Sequence, residues 1–290
     1  MPRPVRFYGL LHIKRGESSS ANLKSKDFDS GIDVYINCAV TLSRSLALVG
    51  QKFTLLTNDR NHIESRLSAS VASLLEIQEI RFTYEVPSGA SFYSAHFKLD
   101  VFEYFAQLDT YSVFCDLDVL AISELPREFM SAVEKDQSIC YEITDQVAPA
   151  YGVKVIANDL THVHGCSSTG KWYGGEFLSG PPSFFQALSD HCRDMFPNYV
   201  AHIKRLHHVG DEAIVSAAIE RMKATGHQFS DAGEMLVIAR YWNSPTKHRQ
   251  PPLTRYSSYS MLHLPADKGF LSVLSALPDD SFKDLWNIYF

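Results

Sequence analysis

Asp116 and Asp118, in the run VFCDLDVLAI, are the residues best placed for chemistry. An apolar, strand-like run delivers two carboxylates, two positions apart, to the end where open α/β sheets place their ligands. Burying isolated carboxylates is costly, so such a pair needs a cation, positive side chains or solvent. A hard divalent ion, Mn2+ or Mg2+, bridging diphosphate oxygens meets that need. Two solvated aspartates at a strand end are the plain alternative. His263 follows the strand-like SMLHL. Imidazole is a competent ligand for Mn2+, and a neighbouring acceptor would fix its tautomer; a lone structural histidine is the alternative. His162 and His164 have metal-like spacing for a strand face but no third ligand nearby. They read as loop residues that at most touch a substrate, and so do His207 and His208.

The composition narrows the setting. The chain has 290 residues, 45% hydrophobic and 21% charged, which excludes a disordered, collagenous or coiled-coil protein. A net charge of −6 without a basic stripe argues against nucleic acid as a partner. No stretch reaches about 18 uninterrupted apolar residues, so no transmembrane segment is expected. The first apolar run is too short for a signal peptide. Five scattered cysteines, none in a CxxC pair, fit neither a disulfide framework nor a zinc site, and a reduced, cytoplasmic setting follows.

Strand-like and helix-like blocks alternate through the first half, as in a mainly parallel α/β sheet. Residues 5–13, 52–59 and 77–83 read as strands, and 111–122 as one buried strand ending in the carboxylates. Helices are expected from an Asp33 cap to Gly50, over 61–75 and over 94–108. The Ser-rich stretch 14–31 reads as loop, and 145–170 as irregular. Later strands are expected near 138–140, 172–180 and 260–264. Later helices are expected after Pro181, over 210–222 and from Asp267, and 241–256 is polar and Pro-rich. The last residues, SFKDLWNIYF, carry one lysine and read as core packing in preference to a membrane-surface helix.

SAHFKLDVFEYFAQLDTYSVFCDLDVL resembles the GT-A-fold glycosyltransferases, in which a helix bearing Lys or Arg leads into a DxD strand. By that resemblance Asp116 and Asp118 hold a metal ion and Lys98 reaches the nucleotide-sugar or its phosphates; a solvated helix lysine is the bland reading. INCAVTLSRSLALVGQKFTLLTND is similar to the start of such enzymes, placing Thr57 and Asn58 beside the nucleotide unless they are plain turn formers. HLPADKGF resembles the C-terminal His-x(n)-Lys signature of the glycogenin-like and lipooligosaccharide galactosyltransferase group, without its Pro-Trp. It implies His263 as a metal ligand and Lys268 as a diphosphate contact. WYGGEFLSG followed by HHVGDEAIVSAAI resembles the blood-group and α1,3-galactosyltransferases, with Gly210 where that family has His. It implies Glu212 beneath the anomeric carbon, with Asp211 beside it. A fixed carboxylate there would stabilise an oxocarbenium-like transition state, although acids in a helix's first turn also complement its dipole. Glu176, flanked by Gly175, is a competing carboxylate or base, in a segment that also reads as a β-bulge.

The resemblance therefore implies a single GT-A-like, Rossmann-like α/β domain over 1–290, its mainly parallel central sheet flanked by helices. Residues 1–125 would bind the nucleotide-sugar and 126–290 the acceptor. The expected activity is metal-dependent transfer of a hexose, with retention, from a nucleotide-diphospho-sugar to a glycan or lipid-linked acceptor. A UDP-sugar is the favoured donor. The expected setting is bacterial surface polysaccharide synthesis, cytoplasmic and extending to peripheral contact with the inner face of the membrane. The same DxD string also opens haloacid-dehalogenase-type Mg2+ phosphatases, and a catalytically lapsed GT-A module that binds glycans or a partner would keep it too.

Overall fold

The computed structural model describes residues 3–15 and 27–289. Two sheets organise them. The larger has seven strands: β1 (Val5–Leu11), β2 (Phe53–Thr57), β3 (Glu76–Glu79), β4 (Tyr111–Cys115), β6 (Ser138–Glu142), β7 (Tyr173–Gly180) and β8 (Phe229–Asp231). Their order is β3-β2-β1-β4-β7-β6-β8. β3, β2, β1 and β4 run parallel, β7 runs antiparallel to β4 and β6, and β8 is parallel to β6. β2 lies on one side of β1 and β4 on the other, so the carboxyl ends of β1 and β4 flank a topological switch point, where α/β sheets open a ligand crevice. The smaller sheet joins β5 (Val119–Ala121), β10 (Met261–His263) and β9 (Ile238–Arg240).

The expected strand over 111–122 is thus two strands in two sheets. β4 ends at Cys115, and Asp116, Leu117 and Asp118 carry the chain from the larger sheet into the smaller. Asp116 N–H donates to the Glu176 carbonyl (3.1 Å), and Leu264 N–H donates to the Asp118 carbonyl (2.9 Å). Leu117 packs over Gly9 of β1, where a Cβ would lie 2.6 Å from Leu117 Cδ2. The motif is therefore pinned by β1, by β7 and by the residue after β10.

Helix α1 (Phe28–Leu48) starts earlier than the Asp33 cap implied. Asp27 is the N-cap, accepting from Ser30 N–H at 2.8 Å, and Asp33 faces outward to Arg66 at 2.6 Å. Buried Ile32, Ile36, Ala39, Val40, Leu42 and Leu46 keep helical spacing. α1 packs against α10 (Lys268–Leu274), to which Thr41 Oγ1 donates at the Leu271 carbonyl (2.8 Å). The expected helix over 61–75 is divided into α2 (Arg60–Arg66) and α3 (Ala69–Ala72), because Leu67 turns extended. A short 3-10 turn, Tyr93–Phe97, precedes α4 (Lys98–Phe105), and α5 (Arg127–Glu134) leads to β6. Residues 16–26 of the expected Ser-rich loop lie outside the described residues.

The largest departure is 145–170. It folds as α6 (Thr144–Tyr151) and α7 (Val153–His164), joined at Gly152, whose φ of 89° stops the first helix. Ile156, Leu160 and Val163 are buried at helical spacing that interleaved Asn and His residues obscure. His162 and His164 therefore sit on a helix and not in a loop, and His162 stacks on His202. α8 (Pro182–His202) packs against α4, α7 and α9 (Asp211–Ala224), and α9 lies on β7. In α11 (Asp279–Tyr289), Phe282 is buried under the Arg44 guanidinium, 4.2 Å away, in line with core packing. Among the described residues no helix is long and apolar enough to cross a membrane.

Two buried histidines make stability depend on pH. His12 stacks on Phe97 at 3.7 Å, and His96 is bonded to Tyr199 Oη at 2.7 Å. Burial holds both imidazoles down at about 4. The unfolded residues titrate near 6.5, so unfolding takes up protons between those values. Their contribution is complete above about pH 6.5 and is lost as pH falls towards 4, by up to about 1.4 kcal/mol per pH unit for each histidine. Urea unfolding at stepped pH should show this slope, and His96→Gln should remove about one proton of it. An unchanged slope would contradict the assignment.

Candidate active site

A cleft of about 500 Å³ opens at the switch point, between the carboxyl ends of β1 and β4 and the starts of α9 and α10. Its lining brings together most of the residues singled out above: Lys98, Asp116, Asp118, Asp211, Glu212, His263 and Lys268.

Lys98 opens α4 and is buried between two carboxylates. Its Nζ lies 2.7 Å from Asp116 Oδ1 and 3.0 Å from Asp211 Oδ2, and donates to the Gly175 carbonyl at 3.0 Å. It is no solvated helix lysine. Burial alone would lower its pKa, but Asp116 and Asp211 outweigh burial and raise it, so the ammonium stays charged. Burial pushes Asp116 up to about 6 against the pull of Lys98, and raises Asp211 for the same reason.

The second group is a buried line of alternating charge. Lys268 donates to Asp118 Oδ2 and to the Pro265 carbonyl (3.0 Å). His263 Nε2 lies 3.2 Å from Asp118 Oδ1, and its Nδ1 lies 3.2 Å from Glu176 Oε1. Arg240 then grips Glu176 through two bonds, Nε to Oε1 at 2.7 Å and Nη2 to Oε2 at 2.6 Å, and its Nη2 also donates to Glu212 Oε1. Glu212 Oε2 accepts from Trp172 Nε1 at 2.7 Å. Burial opposes ionisation of Asp118, yet Lys268 and His263 hold it well below the usual carboxylate range. Burial likewise opposes Glu212, but Arg240 brings it down to about 2. Asp118 and Glu176 outweigh burial at His263 and raise it to about 9.

These contacts test whether the cluster suits a divalent ion. Ligand atoms of Asp116, Asp118 and His263 lie within 4.8 Å of one another. Five carboxylates (Asp116, Asp118, Glu176, Asp211, Glu212) face three permanent cations (Lys98, Arg240, Lys268). The excess of two negative charges matches one divalent cation. Oxygen and imidazole donors suit Mn2+ or Mg2+, and holding the ion requires His263 to be neutral. The residues fit the group.

Three residues lie elsewhere than the resemblance implied. Glu176 is fully buried below the cleft and held by Arg240 and His263, so no carboxylate oxygen is offered to a substrate. Thr57 is buried at the end of β2, and Asn58 exchanges two bonds with the Ile13 backbone, at 2.7 and 2.8 Å. Asn58 thus shapes the loop after β1. Neither residue lines the cleft. His207 and His208 do line it, from the loop before α9.

Sequence reasoning missed Arg240, the hub of the buried line. It ends a three-residue strand, and its one signal was a lone cation after the apolar MLVIA. The glycine pair of YGGEF lies where the register between β6 and β7 shifts, between Cys140 and Glu142. A Cβ on Gly175 would lie 1.9 Å from Asp211 Oδ2, and one on Gly174 would lie 2.2 Å from Glu176 Oε2. These glycines make room for carboxylates. Gly175→Ala should therefore force Asp211 off Lys98, destabilise the fold by about 1–3 kcal/mol as overpacking does, and depress any cleft activity. A midpoint within error of wild type in chemical unfolding would contradict this.

No family model matches the chain, and no curated protein matches it. Solved structures do match in fold. The galactosyltransferase LgtC in complex with donor and acceptor sugar analogues aligns with a TM-score of 0.51 at 10% identity, over 96% of this chain and 99% of that one. An active-site Gln-to-Glu mutant of LgtC aligns equally, with a TM-score of 0.51 at 10% identity, over 95% and 98%. The bifunctional glycosyltransferase WbbM, in its apo form, aligns with a TM-score of 0.52 at 9% identity, over 90% of this chain and 45% of that one. With its mainly parallel central sheet flanked by helices and its cleft at the switch point, the chain has the GT-A-type fold of these glycosyltransferases, the lipooligosaccharide galactosyltransferase group among them.

Proposed function

We propose that the protein is a metal-dependent glycosyltransferase that moves a hexose from a nucleotide-diphospho-sugar, a UDP-sugar in the first instance, to a glycan or lipid-linked acceptor. The observation that carries this reading is the convergence of Asp116, Asp118 and His263 within 4.8 Å of one another at the switch point, beside Lys268. Asp118 and His263 would hold the ion, and Asp116 would share it or bind the ribose. When bound, a divalent ion supplies positive charge to the leaving diphosphate. Lys268 adds a fixed ammonium on the same side. Residues 1–125 would form the donor half and 126–290 the acceptor half of one domain.

Asp211 and Glu212 occupy the place for the sugar. Glu212 is ionised, and Arg240 and Trp172 hold one oxygen each. That arrangement suits a fixed negative charge facing an oxocarbenium-like transition state better than a free nucleophile. Asp211 carries the Lys98 contact and stands as the alternative carboxylate. Glu176 and Arg240 act as positioning residues. Retention at the anomeric carbon, a role in bacterial surface polysaccharide synthesis and a cytoplasmic setting belong to the same reading. The fold favours transfer over the haloacid-dehalogenase reading of the motif.

The experiment is nucleotide release from a panel of UDP-, GDP- and CMP-sugars, with Mn2+ or with EDTA, and NMR of the product's anomeric configuration. Release from a UDP- or GDP-sugar only with metal supports the proposal, and release from a CMP-sugar alone contradicts the diphosphate donor. Release from none contradicts the proposal and leaves a lapsed binding module, and release unaffected by EDTA contradicts the metal dependence.

A further inference from the structure

The two segments that sequence patterning could not read, 145–170 and 241–256, meet at the cleft. α6 ends at Tyr151, and the loop after β9 carries Trp242 and His248; all three line the cleft and are partly exposed. Their rings form a continuous wall. Trp242 and His248 lie 5.4 Å apart at 77°, His248 and Tyr151 5.5 Å apart at 79°, and Tyr151 and His207 4.5 Å apart at 56°.

The wall is pre-shaped although residues 241–252 themselves form no strand or helix. The Gln250 side chain bonds both the N–H and the carbonyl of Trp242, at 2.8 Å each. Arg249 N–H donates to the Gln146 carbonyl at 2.9 Å, tying the loop to α6, and His248 Nε2 lies 3.3 Å from Tyr151 Oη. Rings held this way lose little freedom on binding a ligand. Partly exposed aromatic rings in a concave site, kept out of the packed core, are features of ligand sites.

We propose that this wall is a stacking subsite for a pyranose ring of the acceptor. The inference rests on the transferase reading of the cleft. A pyranose offers an apolar C–H face and a polar rim, which suits rings that present an apolar face and a polar edge. The wall's inner end also lies beside the carboxylates: Tyr151 is 6.1 Å from the His208 ring, and His208 Nε2 is 3.8 Å from Glu212 Oε2. A sugar stacked on the wall turns its hydroxyl edge towards Glu212, where the transferred hexose would stand.

The test is saturation-transfer NMR with UDP and Mn2+ present, using the methyl α- and β-glycosides of galactose, glucose and N-acetylglucosamine as probes. The wild type should transfer saturation to the ring protons of at least one glycoside. Trp242→Ala should weaken its Kd at least tenfold and Trp242→Phe no more than about threefold; Tyr151→Ala is the second variant, expected to weaken it several-fold. Affinity unchanged in both alanine variants, or no transfer to any glycoside by the wild type, overturns the subsite. Thermal shift by UDP with Mn2+ in the same samples separates the two readings. A UDP shift without the Trp242 effect overturns the wall alone, and no shift by UDP or GDP in the wild type overturns the transferase reading beneath it.

Discussion

Arg240→Met should lower stability by about 3–5 kcal/mol, among the largest losses open to a single substitution in this chain. Arg240 is the cation between Glu176 and Glu212, and all three side chains lie beneath or within the cleft floor. Removing the guanidinium leaves two buried carboxylates facing one another, which must then protonate or admit water. Arg240→Lys keeps the charge but not the fork that grips Glu176 through two bonds, so an intermediate loss is expected. Combining Arg240→Met with Glu176→Gln and Glu212→Gln should restore part of the stability, because the penalty lies in the unpaired charges. The pH dependence carries a matching signature. Glu212 is brought to about 2 in the fold, so its contribution is complete above its unfolded value near 4.3 and is lost as pH falls towards 2. Arg240→Met should abolish that acid-side slope. Urea midpoints across pH 2–6 check both statements, and a loss below about 1 kcal/mol with the slope intact would contradict them.

Asp118→Asn should lower metal-dependent kcat/KM by about 10³-fold, or about 4 kcal/mol of transition-state stabilisation. Asp118 is the carboxylate where His263 and Lys268 converge, one oxygen to each. An amide of the same shape supplies neither the charge that holds a divalent ion nor the partner that orients Lys268. Asp116→Asn should be milder, since Lys98 keeps Asp211 as a second partner. Nucleotide release from the active sugar nucleotide at saturating Mn2+ checks the ranking. A rate within tenfold of wild type for Asp118→Asn would contradict the assignment.

Several charged residues of this site were legible in the sequence because each sits at the edge of a periodic element. Asp116 and Asp118 close an apolar run, Lys98 begins a helix, and Asp211 and Glu212 open another. The division of 111–122 between two sheets was not legible, because both strands are buried and equally apolar, and only the hydrogen bonds from Leu264 and to Glu176 show the switch. Arg240 was hidden for a similar reason. β9 is three residues long, too short for a period, and the partners of Arg240 lie 64 and 28 positions away. α6 and α7 were obscured by the polar residues on their outer faces, and with them the meeting of Tyr151 with Trp242. Glu176 shows the opposite failure: a carboxylate beside glycines looked open to substrate, whereas the glycines make room for its own side chain and that of Asp211.

In the proposed function the switch-point cleft binds a nucleoside diphosphate through a divalent ion held by Asp116, Asp118 and His263. The most direct test of this binding is a thermal-shift titration with UDP, GDP and CMP, each with and without Mn2+, on the wild type and on Asp118→Asn. A ligand at one hundred times its dissociation constant stabilises by about 2.7 kcal/mol, a readily measured rise in midpoint. Stabilisation by one nucleoside diphosphate, UDP foremost, is expected only with Mn2+ and lost in Asp118→Asn. No response to any nucleotide, or a response equal without metal and in the variant, would contradict the proposed function.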